Sequence, residues 1–205
     1  MPVKTKPVTK KQIREVAESY QQSFSDWKFV GGQAYVRVSG AVLQSVSFEA
    51  LRSGAYRPSS AIEILVAPGV ILLHQFLDIR NRETLLRDHE NQRSSVTAAM
   101  EQQFEPSIVQ PLSVEDVFSQ CEASATERIS DACGVAALAA HLGKRSVALA
   151  WCDKSEAAAL ELGREPADWE LKLLTFTRRL KQAIENGEES QILDAELQKN
   201  IERFQ

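Results

Sequence analysis

Short runs of β-forming residues between Trp27 and Ile79, cut by turn residues, constrain this chain more than any other feature. The runs cover residues 28–30, 34–38, 42–48, 62–66 and 70–73. Val, Ile, Leu, Tyr and Phe dominate them, and such residues suit a pleated, half-buried surface. Gly31-Gly32, Ser39-Gly40 and Pro68-Gly69 separate them. Connections this short join neighbouring antiparallel strands. Nearly all of the remaining sequence carries helical periodicity. The fold class that follows is α+β: an N-terminal helix, an antiparallel meander of about four to five strands, then a mostly helical C-terminal half.

Within the strand block, Val42, Val46 and Phe48 share one face, interrupted by Gln44. Leu43, Ser45 and Ser47 take the other, which predicts a sheet with one wet side. Residues 52–60, with Gly54, Pro58, Ser59 and Ser60, read as a loop. The run 70–73 shows no alternation and is expected to be covered on both faces.

Before the strands, Thr9 reads as an N-cap, and Ile13, Val16, Ala17, Tyr20 and Phe24 recur at helical spacing. After them, residues 82–104 read as a helix with a thin apolar stripe. Pro106 and Pro111 bracket a connector. The division predicted is a loose tail at 1–8, a sheet domain at 9–110 and a helical region at 111–205, packed as one continuous globular unit. In the helical region, Ser113 with Asp116 resembles a capping box before a short helix. A longer helix spans about 126–142, with Gly143 as its left-handed stop. Residues 146–151 suit a strand or a buried helix, and the flanking helices favour helix. Ser155 reads as the cap of a helix at 156–162, and Pro166 as the opening of the next. A last amphipathic helix carries Ile192, Leu193, Leu197, Ile201 and Phe204.

The candidate chemistry is sparse. The histidines are His74, His89 and His141, far apart and in no metal-binding spacing, and no Cys-x-x-Cys occurs. Neither a metal nor a cofactor is expected from these spacings. His74 and Asp78, near the end of a strand, form a pair able to do acid–base work. No Gly-x-Ser-x-Gly elbow accompanies them. The glycine pair lacks the remaining residues of a phosphate cradle. Arg80, Arg82, Arg87 and Arg93, with Arg57 earlier, could grip a phosphate or a carboxylate-rich partner. Asp78, Glu83, Asp88 and Glu90 are interleaved with them, the mark of a salt-bridged solvent face.

Charge is segregated. Lys4, Lys6, Lys10, Lys11 and Arg14 stand near the start without an acid. Glu185, Glu188, Glu189, Asp194, Glu196 and Glu202 crowd the end. A formal charge of −4 argues against generic nucleic-acid binding. Cys121, Cys133 and Cys152, with no secretory signal before them, read as reduced thiols of a cytoplasmic protein. No apolar run approaches the roughly 18 residues of a membrane span.

Phe29, the Gly31-Gly32 turn, Tyr35, Arg37 and the run 43–48 resemble the opening of a family of small bacterial α+β domains of unknown function. In that family a helix precedes a meander in the same order. The resemblance covers the first half of the chain. It implies a relationship to a group that includes immunity proteins encoded beside bacterial toxins. No catalytic residue carries over. With the absence of a catalytic motif and the segregated charge, the expectation is a non-catalytic cytoplasmic binding protein that neutralises a cognate toxin. Glu188, Glu189, Asp194 and Glu196 form its first candidate binding face. The apolar stripe of the last helix docks on its neighbour or serves a homodimer. Two other readings are an enzyme built around His74, Asp78, Arg80, Arg82 and Arg87, and a nucleic-acid-binding regulator using the arginines of residues 80–93.

Overall fold

The computed structural model describes residues 6–78, 84–126 and 128–204. It is α+β, with an N-terminal helix, an antiparallel meander and a mostly helical C-terminal half. Thr9 caps the first helix, α1 (Lys10–Ser19). Its hydroxyl accepts from the Gln12 amide, and the Gln12 side chain accepts from the Thr9 amide. Two orphan donors are thereby satisfied. Ile13, Val16 and Ala17 are buried along one stripe. The helix stops at Ser19, and a 3-10 turn at Gln21–Phe24 carries Phe24 into the core. The apolar stripe thus outlasts the α-helical winding.

The strands are β1 (Lys28–Val30), β2 (Ala34–Ser39), β3 (Val42–Ala50), β4 (Ala55–Ile64), β5 (Val70–Phe76) and β6 (Thr84–Leu85). Their order is β1-β2-β3-β4-β5, and β6 also pairs with β4. β1 runs antiparallel to β2, with Phe29 opposite Tyr35. Gly31 and Gly32 turn between them with φ near +60° and +71°. A side chain there would be strained by the left-handed backbone.

Three expectations within this block are corrected. Residues 52–60 are not a loop: the turn is confined to 51–54, and β4 begins at Ala55. Pro58 lacks an N–H, yet its carbonyl accepts from the Leu77 amide at 3.0 Å, and the Ser59 hydroxyl meets that of Ser47 at 2.8 Å. Sheet partners thus outweigh a turn-prone local composition. The run 70–73 is not covered on both faces, because Ile71 is 61% exposed. Of the helix expected over 82–104, residues 82 and 83 lie outside the described residues, and the described part is not helical at its start. Thr84 and Leu85 pair with Tyr56 and Ala55, a 3-10 turn follows, and α2 spans His89–Gln103.

The helices that follow among the described residues are α3 (Val114–Ser124), α4 (Ile129–His141), α5 (Arg145–Leu160), α6 (Asp168–Asn186) and α7 (Glu189–Glu202). Ser113 caps α3 through the Asp116 amide. α4 is rich in alanine and almost wholly buried, which lets α5 and α6 approach it closely. Residues 146–151 are helical, as the flanking pattern suggested. The expected break at Ser155 is absent: α5 runs through it and buries it. Ser155 sits among alanines at 157–159 that favour unbroken helix. Pro166 precedes α6 rather than opening its first turn, and Ala167 holds the N-cap position.

The chain forms two compact units. The first comprises residues 1–38, 44–62 and 73–111, and the second residues 39–43, 63–72 and 112–205. The first has an aromatic core: Tyr20 stacks on Phe48 at 4.8 Å and Phe24 on Tyr35 at 4.7 Å. The second is a helical bundle centred on α4.

Candidate functional site

The first unit contains a buried polar chain that its sequence spacing does not announce. Ser19 and Tyr20 lie at the end of α1, Tyr56 comes from β4, and His89 opens α2. Tyr20 Oη lies 2.9 Å from Tyr56 Oη, which lies 2.8 Å from His89 Nδ1. His89 Nε2 lies 2.9 Å from Ser19 Oγ, and that hydroxyl donates to the Val16 carbonyl at 2.6 Å.

One set of proton positions satisfies every donor. The Ser19 proton goes to Val16, so Ser19 Oγ accepts from His89 Nε2–H. His89 Nδ1 then accepts from Tyr56, whose oxygen accepts from Tyr20. Reversing the chain would leave the buried Tyr20 hydroxyl without an acceptor, at a cost of about 1–3 kcal/mol. His89 is only 7% exposed. Burial pushes its pKa below the ordinary value, with Glu90 raising it and Arg93 lowering it. Burial also raises the phenols of Tyr20 and Tyr56. The contact resembles a Ser–His catalytic pair, but its hydroxyl proton is directed to the backbone rather than to the imidazole.

Ser19 borders a polar cleft of about 600 Å³ between the end of α1 and α2, with Gln21, Gln22, Arg93, Thr97 and Glu101 on its walls.

His74 is brought into a different cluster, on the opposite side of the sheet from Tyr56 and Phe48. It is exposed, its ring edge-on to Phe76 at 4.5 Å. The Arg57 guanidinium lies 3.6 Å from the centroid of the Phe76 ring and 2.7 Å from Glu49. These residues come from three adjacent strands, and the alternation of β-structure places them on one face. Phe76 remains 38% exposed.

Asp78 does not join His74 in a described contact. Its amide donates to Gln103 Oε1 at 3.0 Å. Arg80 and Arg82 lie outside the described residues. Arg87 is exposed and 3.7 Å from Asp88.

The acidic candidates are dispersed rather than gathered. Glu189 pairs with Arg145 at 3.3 Å, and Glu196 with Lys199 at 3.2 Å. Glu188 and Asp194 are exposed. A helix advances about 100° per residue, so Asp194 points well away from Glu189 and Glu196. On the apolar side of α7, Leu193 is buried, and Ile192, Leu197, Ile201 and Phe204 are half-buried. Asn200 donates to the Leu65 and Ala67 carbonyls at 2.7 and 3.1 Å. The stripe is therefore largely used within its own unit.

The cysteines are free thiols, with Cys133 and Cys152 buried and Cys121 half-buried. Burial pushes each up to about 12. Among the described residues, no group of three or more His, Cys, Asp or Glu side chains is arranged to hold a metal ion. Among them, too, no helix is long and apolar enough to cross a membrane. No family model, no curated protein and no solved structure matches this chain.

Proposed function

We propose that this protein is a cytoplasmic, non-catalytic binding protein of the immunity type, which neutralises a protein toxin by covering part of its surface. The single observation that supports this reading is the solvent-facing array of Glu49, Arg57, His74 and Phe76. Arginine and aromatic side chains dominate the energetics of protein interfaces. Here the arginine is already held over the aromatic ring by its carboxylate partner. Little side-chain entropy would then be lost on binding, which favours affinity. The candidate face thereby moves from the acidic last helix, where Glu189 and Glu196 are engaged by Arg145 and Lys199, to the sheet.

The test is co-expression with the toxin encoded by the adjacent gene. A complex that co-elutes on size exclusion, with restored growth, supports the reading. Phe76→Asp and Arg57→Glu should weaken both effects while far-UV circular dichroism stays unchanged. Absence of a complex together with absence of rescue ends it.

A further inference from the structure

We infer that the second unit carries a binding site for a small organic oxyanion, a carboxylate or phosphate borne on an apolar body. The site is an open cleft of about 330 Å³ between α6 and α7, with Pro68 on its wall. That volume lies in the range of small-molecule pockets, roughly 300–1,000 Å³.

The distribution of unpaired charge carries the inference. In this unit the lysines and arginines, apart from three, form ion pairs with carboxylates or lie over aromatic rings. The three without such a partner among the described residues are Arg128, Lys172 and Arg179. Lys172 and Arg179 both line this one cleft. They stand two turns apart on the same face of α6, about 10 Å along its axis. The excess is notable in a chain of net charge −4.

The cleft also contains one carboxylate, Glu196, but Lys199 beside it holds both of its oxygens at 3.2 Å. The charge left over is that of Lys172 and Arg179. Thr175 and Phe176 lie between these two cations along α6. Phe176 is 5% exposed, and Leu171, which precedes Lys172 and also lines the cleft, keeps 47% of its surface in solvent. The Thr175 hydroxyl donates to the Leu171 carbonyl at 2.7 Å, so it presents an acceptor rather than a donor. An oxyanion would draw its donors from Lys172 or from the planar fork of Arg179. An apolar body attached to it would cover Leu171.

The experiment titrates the full-length protein with phenyl phosphate, benzoate, inorganic phosphate and benzyl alcohol, read by calorimetry and by amide chemical shifts. Phenyl phosphate, benzoate or both should saturate, with shifts centred on residues 171–179. Which of them binds identifies the anion. Arg179→Gln, Lys172→Gln or both should weaken binding about tenfold, and each should retain the parent thermal midpoint, both positions being exposed. Benzyl alcohol and inorganic phosphate should each bind at least about tenfold more weakly than the best aryl anion. The inference is overturned if no aryl anion saturates by about 10 mM, if neither Arg179→Gln nor Lys172→Gln weakens binding, or if inorganic phosphate or benzyl alcohol binds as well as the best aryl anion.

Discussion

Tyr56 donates its phenolic proton to His89 Nδ1 across 2.8 Å, and this bond fixes which nitrogen of a buried imidazole carries the hydrogen. A protonated His89 would have no acceptor at Nδ1 for Tyr56, and its charge would be buried beside Arg93. The folded pKa therefore lies below that of the unfolded chain. Below about pH 6.5 the unfolded chain takes up a proton that the folded one resists. The contribution of this group is complete above that pH and declines as pH falls toward the folded pKa. Urea midpoints should drop between pH 7.5 and 5.5, and His89→Gln should flatten that dependence. An unchanged slope in the variant would count against the assignment. Tyr56→Phe, which leaves Nδ1 unpaired, should lose about 1–3 kcal/mol at pH 7.5.

Arg37 holds the connector after α2. It is buried, lies 4.5 Å from the Trp27 ring centroid, and donates to Gln44 at 2.9 Å and to the carbonyls of Ile108 and Gln110. Gln44 in turn donates to the Pro106 and Ser107 carbonyls at 3.2 Å. Arg37→Met should destabilise the protein by about 3 kcal/mol, because it strips a charged donor from buried acceptors. Arg37→Lys should recover only part of this, since an ammonium cannot reproduce the planar fork. Denaturant melts of the three proteins give the ordering.

Asn200 ties α7 to the turn after β4 through its two carbonyl contacts. Asn200→Leu keeps the branched shape but leaves both acceptors unpaired. A loss of about 1–3 kcal/mol is expected in urea unfolding. A neutral result would mean that water replaces the amide.

Phe76 and Arg57 should contribute less to folding than core side chains, because Phe76 keeps 38% of its surface in solvent and the Arg57–Glu49 pair is partly exposed. Phe76→Ser should cost about 1 kcal/mol, well below the roughly 3–5 kcal/mol of truncating a core phenylalanine. In the toxin complex the same change should weaken binding by about tenfold or more, as for an interface anchor. A stability loss in that core range would assign Phe76 to the fold.

The thiols of Cys121, Cys133 and Cys152 should resist iodoacetamide at pH 8 in the native protein, because burial raises each to about 12 and the thiolate is the reactive form. Mass spectrometry should show full alkylation in urea and almost none without it.

Much of the fold was legible in residue order. The capping pair Thr9 and Gln12, the glycine turns at 31 and 32, and the alternation around Val46 are local signals with local causes. Where reading failed, non-local pairing had won. Pro58, Ser59 and Ser60 are loop residues by composition, yet sheet neighbours hold them in β4. Gln44 looked like a break in an apolar face, and it is the partner of buried Arg37. Of the candidate residues, His74 proved to belong to a surface cluster, but the members Glu49, Arg57 and Phe76 lie in three strands with no spacing to link them. The acidic residues at 188–196 were adjacent in sequence, and helical rotation and ion pairing dispersed them.

Sequence alone determined the class of the protein: helix, meander and helical half follow from apolar period and turn chemistry, which act over a few residues. Tertiary structure decided which polar groups are spent and which are free. Ser19, Tyr20, Tyr56 and His89 satisfy one another only because α1, β4 and α2 converge. Lys172 and Arg179 differ from their neighbours on α6 because no carboxylate among the described residues pairs with them. Pairing of charges and burial of hydrogen bonds are properties of distances in space, and residue order does not contain those distances until the chain has folded.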